Sequence, residues 1–242
     1  LEVLELPDAS ITAVDDVCAD AAPFTLNATP AGGSWAGDVD SSGGFNPSAN
    51  GPGGYQAIYF FENAAGCSDA DTLGFAVDSL PAAQIQPVGP FCANDTAQVL
   101  SATPAGGTWL GAANPQGAVD PSGLGTGNYE AVYSFTTAEG CSADDTLAFE
   151  VLPLPTATLS GSGNLCQGGA DTVFLNLDLT GQPPFTYTLA IDTVLQPVAT
   201  TSDNTVSIPA TLPGAYTVAS LEDANGCIIT GMDTVAVGLN TA

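Results

Sequence analysis

Tyr129-Glu130-Ala131-Val132-Tyr133-Ser134-Phe135 alternates large apolar residues with small or polar ones. A half-buried β-strand has this period of two. Thr146-Leu147-Ala148-Phe149-Glu150-Val151 alternates again after a turn, and Val99-Leu100-Ser101-Ala102-Thr103 supplies an earlier strand. Between that strand and the one carrying Trp109 lies Pro104-Ala105-Gly106-Gly107, which is turn chemistry. No window of useful length shows helical periodicity with caps.

Working outward, the same pattern stands earlier in the chain: Cys18, Trp35, Tyr55, Tyr59 and Cys67 return as Cys92, Trp109, Tyr129, Tyr133 and Cys141, every one shifted by the same amount. Ala28-Thr29-Pro30-Ala31-Gly32-Gly33 returns as Ala102-Thr103-Pro104-Ala105-Gly106-Gly107 at that same offset. This is a tandem duplication. Cys166 lies one further offset beyond Cys92, but its companion Cys227 follows it at a wider spacing than separates Cys18 from Cys67 or Cys92 from Cys141. The insert Gly181-Gln182-Pro183-Pro184-Phe185-Thr186-Tyr187 has no counterpart in the first two units, so the third unit is a related, divergent module. Glu2-Val3-Leu4 and Leu6-Pro7 match Glu150-Val151-Leu152 and Leu154-Pro155, which reads as the last strand of a preceding module. The expected division is 1–7 for that strand, 8–81 and 82–155 for two repeats, and 156–242 for the divergent third. Short strands between Gly, Pro and Asn turns predict an all-β chain of tandem immunoglobulin-like sandwiches, beads on a string with one disulfide each.

Composition narrows the chemistry. The chain has 26 Asp and Glu and no Lys, Arg or His, a formal charge of −26. No lysine Schiff base, histidine base or arginine clamp exists, and phosphate backbones are repelled, which excludes nucleic acid as a partner. No apolar run approaches the roughly 18 residues of a membrane span. Six cysteines at regular spacing imply disulfides and an oxidising compartment, hence an extracellular, cell-surface setting. If each tandem copy is self-sufficient, the pairs are Cys18–Cys67, Cys92–Cys141 and Cys166–Cys227.

The order Cys, L-x-A-x-P-x-G-G-x-W, G-x-Y-x-A-x-Y-x-F, G-C and a final strand resembles the immunoglobulin-like repeats of very large secreted Bacteroidota adhesins. In the third unit, residues 181–187, Leu212-Pro213-Gly214-Ala215-Tyr216-Thr217-Val218 and Asp223-Ala224-Asn225-Gly226-Cys227 are similar to repeats of gliding-motility adhesins. The resemblance spans nearly the whole chain. It implies a module type and a cell-surface setting, and carries over no ligand-binding motif.

Two further patterns admit functional readings. Asp followed by Thr or Ser and an apolar residue marks Thr72, Ser79, Thr96, Thr146, Thr172, Thr193 and Thr234. Six Asp-Thr pairs occur where chance gives about two, and the pattern looks like the O-glycosylation signal of exported Bacteroidota proteins. The bland reading is that Asp ends a turn and Thr opens a strand. Asn27-Ala28-Thr29 and Asn94-Asp95-Thr96 also fit the N-linked sequon. Among the acids, Asp69, Asp71, Asp144 and Asp145 are candidate calcium ligands, although none follows the helical-loop pattern, and a solvated acidic surface is the alternative. No other cofactor is implied.

The favoured reading is a non-enzymatic stalk or filament segment whose partners are neighbouring repeats, other fibres or surface glycans. Its rival is a carbohydrate-binding array that exposes Trp35, Trp109 or aromatics of the third unit, with or without calcium. Exposure decides between the two: the rival fails if Trp35 and Trp109 are buried and the third unit has no aromatic groove.

Overall fold

The strand foreseen at residues 129–135 extends over Gly127–Thr136, with Ala131 and Tyr133 buried and Asn128 and Glu130 exposed in alternation. In the computed structural model, which describes residues 5–169 and 171–240, it pairs antiparallel with Ser142–Leu152 from Gly127↔Val151 to Thr136↔Ser142. Its other edge takes Thr108–Gly111, with Trp109 opposite Tyr133. Phe91–Cys92 completes this four-stranded sheet by running parallel to the end of Ser142–Leu152. Gln84–Ile85 pairs with Ala102–Thr103, and Gln98–Val99 with Ala118–Val119, on the second face. Leu100 and Val119 from the second face meet Ala131, Phe149 and Val151 from the first in one hydrophobic cluster.

The first unit repeats this arrangement at the constant offset, from Gly53–Glu62 against Ser68–Asp78 to Ser34–Gly37 on the edge and Val17–Cys18 in parallel. Its core joins Ile11, Leu26 and Phe45 to Ala57, Tyr59, Phe75 and Val77. The third unit has Thr156–Ser160, Val173–Thr180 and Thr205–Ala210 in one sheet. Gly163–Cys166, Thr234–Asn240, Gly214–Glu222 and Phe185–Ile191 lie in the other, with Phe185, Leu175, Leu177 and Leu221 fully buried between the two. In all three, the opening strand sits in one sheet and a short parallel strand beside the closing strand sits in the other. That is the immunoglobulin-like sandwich, and the chain is nearly all β.

The repeated residues have local reasons. Tyr55 and Tyr129 donate their hydroxyls to the carbonyls of Asn50 and Leu124, the last residues of the one-turn helices Pro47–Asn50 and Pro121–Leu124. Tyr216 does the same to Leu212, which makes a tyrosine corner in each unit. Tyr133 accepts a hydrogen bond from the Gly107 N–H at 2.7 Å and donates to the Pro104 carbonyl. A Cβ at Gly107 would stand 2.3 Å from the Ser134 carbonyl oxygen, so the Gly-Gly turn admits no side chain there. Of residues 1–7, the first four lie outside the described residues, and residues 5–7 form no strand.

Candidate functional site at the unit junctions

Each unit carries its two cysteines at opposite ends of its closing strand. Cys18, Cys92 and Cys166 lie in the short parallel strand and face Asp78, Leu152 and Asn240, at the strand's far end. Cys67 and Cys141 occupy the turn just before the strand begins, and Cys227 the turn before Ile228–Thr230, a short strand ahead of Thr234–Asn240. A side-chain oxygen of Asn63, Thr137 or Asp223 accepts from the cysteine N–H at 3.0, 3.2 and 3.2 Å respectively. The turn glycines Gly66, Gly140 and Gly226 have φ of 81°, 91° and 80°, a region that favours glycine.

This placement overturns the within-unit pairing and the expectation of one disulfide per unit. Ser68–Asp78 is 11 residues long, and at about 3.3 Å per residue the ends stand roughly 36 Å apart. Bridged cysteines need Cα atoms within about 7 Å. The bonds formed are Cys18–Cys141 and Cys92–Cys227, each with a Cα–Cα distance of 5.5 Å, and Cys67 and Cys166 are free thiols. Each bridge joins the far end of one unit to the turn of the next. The cause is the serial connection, because a closing strand ends where the next unit starts. There the next unit's turn adjoins its own opening strand, as the bond from the Ile85 N–H to Asp145 Oδ2 (2.7 Å) records. Beside the second bridge, Asn94 Nδ2 donates to the Ile228 carbonyl at 2.9 Å.

The carboxylates of all six Asp-Thr pairs accept backbone N–H groups. Asp71, Asp145 and Asp233 bind the opening strand of their unit at Ile11, Ile85 and Leu159 through one oxygen and their own following threonine N–H through the other. Asp95 and Asp171 accept from Cys92 and Cys166, and Asp192 accepts from Ala215. The motif is therefore a sheet-to-sheet clasp in the closing strands and a loop closure elsewhere; Asp71 and Asp145 lie inside their strands, unlike the turn-ending role expected, whereas Thr234 opens its strand directly after Asp233 as expected. The hydroxyl-bearing residues Thr72, Ser79, Thr96, Thr146, Thr172, Thr193 and Thr234 are all exposed.

Of the calcium candidates, Asp69 and Asp71 are engaged by the Ala9 and Ile11 N–H groups and Asp145 by Ile85. Asp144 precedes Asp145 in the same strand and so faces the opposite side. Among the described residues no three acids or cysteines cluster as a metal site would require. The Cys166 thiol is pushed up from its ordinary value, first by its hydrogen bond to Asp171 and then by that carboxylate's charge, while Asp171 is held low by the same contact.

Trp35 and Trp109 are half-buried, each at 4.8 Å from the ring of Tyr59 or Tyr133. Gly43 and Gly117 press on the indoles so closely that a Cβ would lie 2.7 and 2.8 Å from an indole atom. Each tryptophan is thus packed within its own unit, between the tyrosine ring and the glycine turn. A groove of about 780 Å³ along the second unit is lined by Leu124, Tyr129, Glu130, Phe149 and Glu150, with both glutamates exposed. Among the described residues no helix is long and apolar enough to cross a membrane.

No protein-family model and no curated protein matches the chain. Among solved structures it is similar to an I-band fragment of titin, with a TM-score of 0.44 and 15% identity over 99% of this chain and 100% of that one. It is also similar to a Ca2+-stabilized adhesin with which an Antarctic bacterium binds ice (TM-score 0.38, 17% identity, 98% and 74% covered). A 1.5-MDa bacterial ice-binding adhesin follows at a TM-score of 0.34 and 14% identity, with 98% and 99% covered. These neighbours are immunoglobulin-like and adhesin repeat proteins, and at such identities the likeness is one of strand arrangement.

Proposed function

We propose that the chain is a load-bearing, non-catalytic segment of an extracellular fibre, the stalk of a cell-surface adhesin, built of units at 8–81, 82–155 and 156–242. The observation that carries this reading is the interleaving of Cys18–Cys141 with Cys92–Cys227, which gives each junction a covalent bridge besides the chain itself. Two connections per junction resist bending and separation, a property useful to a spacer and of no service to a catalyst. Short linkers containing Pro81, Pro153 and Pro155 work in the same direction, and the charge of −26 keeps neighbouring fibres apart. The resemblance to Bacteroidota adhesin repeats and the exposure of the seven Asp-Thr and Asp-Ser hydroxyls support a glycosylated surface protein.

Small-angle scattering of the oxidised chain tests the fibre reading. The closing strands of the first two units have 11 residues and span roughly 36 Å each, and three units of about that length in line give a maximum dimension of about 110 Å. A compact particle of about half that length refutes it. Intact mass of the natively secreted protein tests the glycans, since sugar-sized excess mass mapping to Thr72 and Thr146 is expected and an unmodified mass removes that part of the reading.

A further inference from the structure

The two bridges obey one rule: the cysteine beside the end of a closing strand bonds the turn cysteine of the following unit. Applied to six cysteines, the rule leaves Cys166 in the strand-end position and Cys67 in the turn position, both free. Among the turn cysteines burial differs with pairing, although bridged Cys18 at a strand end is itself only half-buried. Cys141 and Cys227, whose turns are bridged, are 1% and 0% exposed, whereas Cys67 in the equivalent turn is partly open and Cys166 is exposed. The turn cysteine is thus covered in both units whose turn is bridged to the unit before.

We propose that Cys67 and Cys166 are the two halves of the same staple left open, and that each bonds a further unit of this kind docked end to end. A preceding unit's strand-end cysteine takes Cys67, and a following unit's turn cysteine takes Cys166. The bond forms with loss of two protons and two electrons to a small-molecule disulfide. One cysteine thiolate attacks the disulfide and releases one thiol, and the second cysteine attacks the mixed disulfide and releases the other. The proposal deepens the fibre reading and rests on it, because docking end to end presumes a linear array.

The probe is a second copy of this chain. Cys67→Ser and Cys166→Ser variants, each confirmed by mass to retain both native bridges, are incubated singly and as an equal mixture in oxidised and reduced glutathione. Non-reducing gels read linkage, and peptide mapping after cleavage at acidic residues identifies the bond, since the chain has no Lys or Arg for trypsin. The mixture is expected to form a Cys166–Cys67 dimer at least tenfold more abundantly than either variant forms its own dimer, and the unsubstituted chain is expected to form a ladder. Equal yields in all three incubations would mean random thiol collision and overturn the proposal, as would monomers capped by glutathione. Scattering of the doubly substituted monomer tests the fibre reading without any such linkage, so the two failures are distinguishable.

Discussion

Stretching the oxidised chain from its two ends is expected to reveal less than half of its length. The Cys18–Cys141 and Cys92–Cys227 bridges create two nodes joined by three stretches, residues 18–92, 92–141 and 141–227. Under tension the shortest of these, 92–141, carries the load once taut, and the other two remain slack. With the segments before Cys18 and after Cys227, about 81 residues are extensible, or roughly 290 Å at about 3.6 Å per residue. Reduction frees the whole chain, roughly 870 Å by the same conversion. The informative molecule is the Cys67→Ser/Cys166→Ser double variant, held between handles and pulled by atomic force microscopy with and without reductant. Interleaved bridges leave its oxidised length unchanged at about 290 Å, because neither replaced cysteine is bonded. Pairing within units would leave only Cys92–Cys141 intact and lengthen it to roughly 690 Å. A measured length near the latter value refutes the interleaved reading and with it the mechanical argument.

Three further outcomes are expected. Gly107→Ala places a Cβ 2.3 Å from the Ser134 carbonyl and lowers the stability of the second unit by about 1–3 kcal/mol, read from thermal melts, with Gly89→Ala, which meets no atom and needs no positive φ, as the comparison. Asp145→Ala orphans the N–H groups of Ile85 and Thr146 and costs about 1–3 kcal/mol, whereas Thr146→Ala, at an exposed position, changes the midpoint little. Because Asp171 raises the Cys166 thiol pKa, the thiolate fraction near pH 8 is smaller than that of an ordinary exposed cysteine. Alkylation of Cys166 in the Cys67→Ser chain is therefore slow and accelerates only at higher pH. Asp171→Asn shifts that rate profile to lower pH, and an unchanged profile removes the assigned cause.

The bridges hold the units of the −26 chain together at their junctions. A chain without Lys or Arg has no side-chain ion pairs to hold a junction. A disulfide across the junction supplies the missing restraint, and Asn94 to the Ile228 carbonyl adds a single hydrogen bond beside it.

By itself the sequence determined the all-β class, the tandem repeat and the residues that build each turn, because these are local. Alternation places Ala131 and Tyr133 inward. Gly32 and Gly106, with φ of 97° and 100°, follow from turn chemistry, and the constant offset between the first two units predicts that one unit's register is the other's. Cysteine connectivity was different, since the spacing of Cys18 from Cys67 along the chain is as consistent with a bridge within a unit as with one across a junction. Only the tertiary structure decided, by setting those cysteines at opposite ends of an 11-residue strand and stacking the next unit's turn on the first unit's far end. The roles of Asp71, Asp145 and Asp233 were hidden for the same reason. Their partners at Ile11, Ile85 and Leu159 lie 60 or 74 residues away, at distances that no local pattern records and that only sheet packing closes.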